Sequence, residues 1–115
     1  STGFRVLVNK DGRLLFQFAN LHQGKPLAVT SKSPLPRDEW VTIKLSYAPP
    51  SGQTPGEAVI RFGDVEQARR PVAEPMLPSQ AMIGIGCEFT DPVDRPIGKR
   101  RPNFPGLIRR VVFMP

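Results

Sequence analysis

The chain has 115 residues, of which 14 are prolines, and 16 lysines and arginines against 10 aspartates and glutamates give it a formal net charge of +6. This length fits one domain with a single modest core, and the prolines exclude a helical protein because proline ends helices and in sheets is confined to edges, turns and strand starts. The apolar residues fall in discrete runs, which excludes a disordered chain, and no run approaches the ~20 residues of a membrane span.

The first part of the chain contains two short runs, 4–8 and 14–18, with apolar residues at every second position. This is the pattern of strands that bury one face. Between the runs, Asn9-Lys10-Asp11-Gly12 supplies turn chemistry, since an Asp-Gly pair takes positive φ at little steric cost. We predict a β-hairpin here, followed by a short extended segment at 27–30.

The clearest strand pattern covers residues 40–47, and the same alternation continues between proline-rich connections to the end of the chain. About eight strands without helical periodicity are typical of a sandwich or jelly roll. We therefore predict an all-β fold, an antiparallel two-sheet sandwich with essentially no α-helix. After 40–47, we expect strands at 57–62 and 65–70, coil at 71–80, a strand at 81–89, a charged loop at 90–105 and a closing strand at 106–114. The expected core contains Leu14, Phe16, Val41, Ile43, Leu45, Ile83, Ile85 and Val111.

Five short motifs, in this order, resemble the laminin-G-like family of concanavalin-A-like lectin and glucanase folds. They read Asp11-Gly12-Arg13-Leu14-Leu15-Phe16, Asp38-Glu39-Trp40-Val41, Ile60-Arg61-Phe62-Gly63, Ile83-Gly84-Ile85-Gly86 and Phe104-Pro105-Gly106-Leu107-Ile108. The chain departs from the family at Val41, where a His is common, and at Phe62, where the turn lacks its usual Asn.

The resemblance implies a secreted or cell-surface module. Members of the family usually have further strands ahead of the first hairpin, so the N-terminal edge is expected to pair with another segment or chain. With neither an initiator Met nor a signal peptide in the sequence, we expect residues 1–115 to be a single domain, either a minimal variant or a fragment of a longer one.

No pattern in the sequence indicates catalysis. The one histidine, His22, has no Cys or Ser placed beside it by a local motif, and we interpret it as a solvated loop residue. Cys87 alternates with apolar residues, as a small core residue does. Glucanases of this superfamily carry alternating acids along one strand, E-x-D-x-x-E, and the chain lacks that pattern. We therefore predict no enzyme, and we expect Trp40, at a strand start in the family pattern, to lie in the core rather than against a sugar.

Calcium is the one metal that the resemblance implies. Many laminin-G-like domains hold it at a rim of the sandwich, through an Asp just before the Trp strand and through the loop after the I-G-x-G strand. Asp38 matches the first position to within a residue, and Asp91 or Asp94 matches the second. Calcium prefers such oxygen ligands. The alternative is that these aspartates form turns, a role typical of an Asp before a proline, as in Asp91-Pro92. No cofactor is required by either interpretation.

A basic cluster is the predicted ligand-binding surface. Most of it lies in the loop 90–105, and long loops are where binding residues concentrate. Guanidinium groups bind sulfate, carboxylate or phosphate through two parallel hydrogen bonds. The alternative is an ordinary solvated face. The cluster consists of Arg95, Lys99, Arg100, Arg101, Arg109 and Arg110, with Arg69 and Arg70 expected on the same side.

The expected function is that of a non-catalytic recognition module, which binds a glycan or an extracellular protein through loops at one rim. Two alternatives stay open. The first is a binder of polyanions, acidic polysaccharide or nucleic acid, through the basic cluster; its affinity would fall steeply with salt. The second is a structural accessory domain of a larger secreted protein or enzyme, which uncovered apolar surface at the N-terminal edge would favour.

Overall fold

The computed structural model describes residues 4–18, 27–73 and 106–114, and these ranges contain six strands and no helix. The strands form two antiparallel sheets, in the orders β1-β2-β3 and β4-β5-β6. The predicted all-β class with two antiparallel sheets is confirmed, while the expected strand 81–89 and the loop 90–105 lie outside the described residues. The strands are β1 (Phe4–Val8), β2 (Arg13–Phe18), β3 (Leu27–Pro34), β4 (Ile43–Ala48), β5 (Gly56–Phe62) and β6 (Val65–Val72).

The first sheet begins with the predicted hairpin. Phe4 lies opposite Phe18 across the pair. The side-chain oxygen of Asn9 accepts a hydrogen bond from the backbone N–H of Asp11 at 2.9 Å, and this bond stabilises the turn. Gly12 has a φ of 78°, a left-handed conformation that glycine adopts without steric cost. The local sequence therefore specifies this turn.

The pairing of β2 with β3 is interrupted by a bulge near Leu14, where a serine side chain supplies a hydrogen-bond acceptor. Arg13 pairs with Pro34 and Leu15 with Thr30, so three residues of β3 oppose Leu14 alone. The hydroxyl oxygen of Ser31, which is 1% exposed, accepts the Leu14 N–H at 3.0 Å. A buried N–H left without a partner costs about 1–3 kcal/mol. The serine replaces the main-chain acceptor that the irregular pairing removes.

The second sheet is a meander with one extra residue in β6. Ile60 pairs with Ala68 and Arg61 with Glu66, which leaves Gln67 between them without a partner in β5. The strand continues through a proline to Val72, so the prediction that coil begins at residue 71 is wrong. Proline is tolerated there because β6 lies at the edge of its sheet.

One hydrophobic core joins the two sheets. The ring of Phe18 in β2 meets that of Tyr47 in β4 edge to face, with centroids 5.5 Å apart. Ile60, at the middle of β5, is fully buried. The expected core positions of Leu14 and Phe16 are confirmed, and alternate apolar residues of β2 and β5 supply most of this core. Its buried members are Leu14, Phe16, Phe18, Val29, Ala58, Ile60, Phe62 and Val72.

For two residues, the prediction that they lie in the core is wrong. Ile43 is 37% exposed because it begins β4, a strand at the edge of its sheet, and Val111 is 46% exposed. The segment 106–114 is not a strand, since it pairs with no strand among the described residues, and all nine of its residues are exposed. Val41 and Leu45 pack against the core as partly buried residues, and the remaining two expected members, Ile83 and Ile85, lie outside the described ranges.

Candidate functional site

The connection between β3 and β4 is a loop held at both ends. The backbone N–H of Leu35 donates to the Gly12 carbonyl at 2.8 Å, and the Leu35 side chain packs against the core. At the other end Val41 packs against the core, and the carbonyl of Thr42 accepts the N–H of Gly63 at 2.8 Å. The loop therefore presents its middle residues from a fixed base.

The middle of this loop turns outward. Asp38 has a φ of 59°, a left-handed conformation in which Asp is enriched over most residues. Trp40 is 56% exposed, so the expectation that it lies in the core is wrong. The inward position at this point of the chain belongs to Val41, its neighbour. The charged residues immediately before the tryptophan, Arg37 to Glu39, were the sequence feature that indicated exposure.

Arg109 lies over the exposed indole. Its guanidinium carbon is 4.6 Å from the centroid of the Trp40 ring, well within the ~6 Å range of a cation–π interaction. Such a contact contributes about 0.5–1 kcal/mol at an exposed site. It brings the segment 106–114 beside the β3–β4 loop. We call this segment, together with Arg37 and Trp40, the Trp40 surface.

The segment 106–114 combines adjacent arginines with large apolar side chains. Within the part of the chain that the structure describes, neither Arg109 nor Arg110 forms an ion pair. Single exposed apolar residues are ordinary, whereas a contiguous group marks an interaction surface. The exposed apolar residues of the segment are Leu107, Ile108, Val111, Val112, Phe113 and Met114.

The structure describes one part of the predicted basic cluster. Arg109 and Arg110 are exposed on the Trp40 surface. The other four members lie outside the described residues, so the expectation that all six residues form one patch stays a prediction. They are Arg95, Lys99, Arg100 and Arg101.

Arg69 and Arg70, expected beside that cluster, are engaged by residues of the fold. On the outer face of β5 and β6, Arg69 bonds to both Glu57 and Glu66, and its Nε donates to Glu66 at 3.1 Å. The hydrogen bond from Arg69 lowers the pKa of the Glu66 carboxyl, and hydrogen bonds to the two carboxylates raise the pKa of Arg69. Arg70 donates to the Ala28 carbonyl at 2.7 Å. These contacts link strands rather than present free cations.

The calcium prediction is not decided by the described residues. Asp38 is exposed at the tip of its loop, whereas Asp91 and Asp94 lie outside the described ranges. Across residues 4–18, 27–73 and 106–114, no group of three or more His, Cys, Asp or Glu side chains could hold a metal ion. The left-handed backbone of Asp38 agrees with a turn-forming role, and calcium binding stays a prediction.

The two residues considered for nucleophilic or acid–base chemistry, His22 and Cys87, also lie outside the described ranges. In the described part of the chain, no helix has the length and hydrophobicity needed to cross a membrane.

Comparisons of the chain with protein-family models, with curated proteins and with solved structures find no match. The candidate site therefore rests on the geometry of Trp40, Arg109 and the segment around them.

Proposed function

We propose that the chain is a non-catalytic recognition module of the lectin type, a laminin-G-like β-sandwich that binds a glycan at the Trp40 surface. The observation that carries the proposal is the exposed indole of Trp40, with the guanidinium of Arg109 at 4.6 Å from its centroid. An indole offers a broad apolar face together with one N–H donor, and a sugar ring offers an apolar face ringed by hydroxyl groups. The two are complementary.

The anchoring of the loop supports this proposal. Binding orders the groups that take part, at about 0.5–1.5 kcal/mol for each side chain with many rotamers. Leu35 and Val41 fix the loop on the core before a ligand arrives, and the cation–π contact restrains the ring of Trp40. Less conformational freedom is therefore lost on binding, which favours a recognition role for this loop.

Three of the five family motifs supply elements around the site, which is consistent with a laminin-G-like module. Asp11-Gly12 turns β1 into β2, and the carbonyl of Gly12 accepts the N–H that holds the start of the loop. Gly63, with a φ of 57°, turns β5 into β6 and donates to the end of the loop. Trp40 lies between these two anchors. On the same proposal, the parent protein is secreted or displayed at the cell surface.

A binder of acidic polymers is the second candidate, favoured by Arg109 and Arg110, which are exposed and form no ion pair with any residue that the structure describes. A neutral glycan held by Trp40 would be nearly indifferent to salt, because few counterions are released on binding. An acidic polysaccharide held by Arg109 and Arg110 would lose affinity steeply as salt rises. The slope of affinity against salt therefore separates the two ligand classes.

A glycan array tests the proposal, with each hit followed by titration of the intrinsic fluorescence. The chain contains one tryptophan, so any change in its emission reports on Trp40 itself. Calcium and a chelator form two arms of the experiment, which also tests the predicted role of Asp38. We expect a glycan ligand whose binding alters the emission and is lost in Trp40→Ala. Failure of every glycan to bind, in both arms, would contradict the proposal.

A further inference from the structure

The segment 106–114 has a composition that a folded chain rarely leaves in water. It contains two arginines and no acidic residue, and Leu107 and Met114 are 82% and 74% exposed. The neighbouring loop adds Arg37, Asp38 and Glu39, whose charges sum to −1. The positive field at this place therefore comes from the segment itself.

We propose that this segment, with Trp40 beside it, docks on membranes that contain anionic phospholipids. The inference goes beyond glycan recognition and does not depend on it. Amphipathic helices that lie at a bilayer surface combine Trp, Phe and Leu with lysines and arginines, and this surface carries the same residue types on a segment that is not helical. Their apolar side chains enter the boundary between headgroups and acyl chains, where Trp is also enriched. Their guanidinium groups bind lipid phosphate by two parallel hydrogen bonds.

The charge pattern favours a lipid surface over a second copy of the chain. In a two-fold dimer the same patch supplies both sides of the interface, so an interface centred on the segment 106–114, which has no acidic residue, would bring together Arg109 and Arg110 of both copies. An anionic leaflet has the opposite sign, and attracts basic residues within a Debye length of its surface. The net charge of +6 acts in the same direction.

Vesicles of phosphatidylcholine, with and without phosphatidylserine, test the proposal with the full chain. Binding is measured by co-sedimentation and by the emission of Trp40, the only tryptophan. We expect binding and a blue shift with phosphatidylserine, weakened by added salt, and little of either with phosphatidylcholine alone. Equal binding to the two vesicle types, or binding to neither, would overturn the proposal.

Charge variants make the test specific to this segment. Each basic residue near an anionic leaflet strengthens attraction by about 1 kcal/mol, so Arg110→Gln should weaken partitioning about five-fold and Arg109→Gln with Arg110→Gln about thirty-fold. The matched control, Lys10→Gln with Arg13→Gln, removes two exposed charges from the first hairpin and should have a smaller effect. Equal losses in the two double variants would overturn the proposal, since net charge alone would then explain the binding.

Two further measurements address folding and self-association. Circular dichroism and thermal melting should show that both double variants keep the fold, because all four side chains are exposed. Phe113→Ser should weaken partitioning while leaving the salt dependence unchanged, because it removes apolar contact and no charge. Analytical ultracentrifugation without vesicles should give a monomer. A dimer in which Trp40 is shielded would assign the surface to a second copy and contradict membrane docking.

Discussion

The backbone N–H of Ser33 in β3 donates to the side-chain oxygen of Gln67 in β6 at 3.0 Å, and this hydrogen bond joins one sheet to the other. Gln67 is the extra residue of β6, so its side chain lies at the place where the regular ladder is interrupted. Ser33 is also the penultimate residue of β3, directly before the loop that carries Trp40. The position of the candidate site therefore depends on a contact between the sheets.

Replacing Gln67 by Ala should destabilise the fold by about 1–3 kcal/mol, because it leaves the partly buried Ser33 N–H without its acceptor. Urea unfolding gives the change in free energy. Gln53→Ala is the matched control, since Gln53 is exposed in the β4–β5 connection and its loss should stay within about 0.5 kcal/mol. Equal effects of the two substitutions would mean that the bond between the sheets contributes nothing measurable.

Ser31→Ala should also be costly, by about 1–3 kcal/mol, because the Leu14 N–H would lose the hydroxyl that replaces its main-chain acceptor. The neighbouring Thr30→Ala provides the control, since Thr30 is exposed on the same strand. Hydrogen exchange at the Leu14 amide should accelerate in the Ser31 variant and stay slow in the control. A Leu14 amide equally protected in both would show that another group takes over as acceptor.

Two isoleucines that differ in burial should differ in their contribution to stability. Ile60→Ala should cost about 2–5 kcal/mol, because Ile60 is fully buried and the cavity cannot collapse completely. Ile43→Ala should cost about 1 kcal/mol, since that side chain is 37% exposed at the start of an edge strand. Thermal or urea unfolding measures both. The reverse order would mean that β4 packs differently from the structure.

Local patterns predicted most of the sheets, and the reasons are physical. The period of two is a property of the strand itself, and the turns at Gly12 and Gly63 each carry a residue that tolerates positive φ. The two irregular pairings could not be predicted, because each depends on a partner strand that the local sequence does not contain. Trp40 was predicted wrongly for another reason: the family pattern places this tryptophan in the core. The alternation that turns Val41 and Leu45 inward, and the charged residues 37–39 before Trp40, both favour an outward position.

The sequence of the segment 106–114 fits two different structures. Apolar residues make up most of it, and the same composition suits a buried strand or an exposed docking segment. A strand needs a neighbour to accept its backbone hydrogen bonds, and none of the described strands pairs with it. Its arginines, in contrast, were predicted as surface residues, and Arg109 and Arg110 are exposed.

The ionic contact on the outer face of β5 and β6 should make stability depend on acid pH. The hydrogen bond from Arg69 lowers the pKa of Glu66 in the folded state, so its contribution is present above the unfolded pKa and is lost as pH falls through the folded value. Glu66→Gln should therefore flatten the fall in melting temperature as pH drops below 4.5, the ordinary pKa of a glutamate. Asp64→Asn, in the adjacent turn, is the control. An unchanged acid limb in the Glu66 variant would contradict a role for this contact in acid stability.

The emission of the single tryptophan reports on ligand recognition at Trp40. A glycan selected on the array should quench or shift that emission in a saturable titration. Arg109→Gln should lower the affinity for the same ligand, because it removes the group that restrains the ring of Trp40. Arg13→Gln on β2 should leave the affinity unchanged. A ligand that binds Trp40→Ala with full affinity and leaves the wild-type emission unchanged would contradict recognition at Trp40. The binding site would then lie elsewhere on the chain.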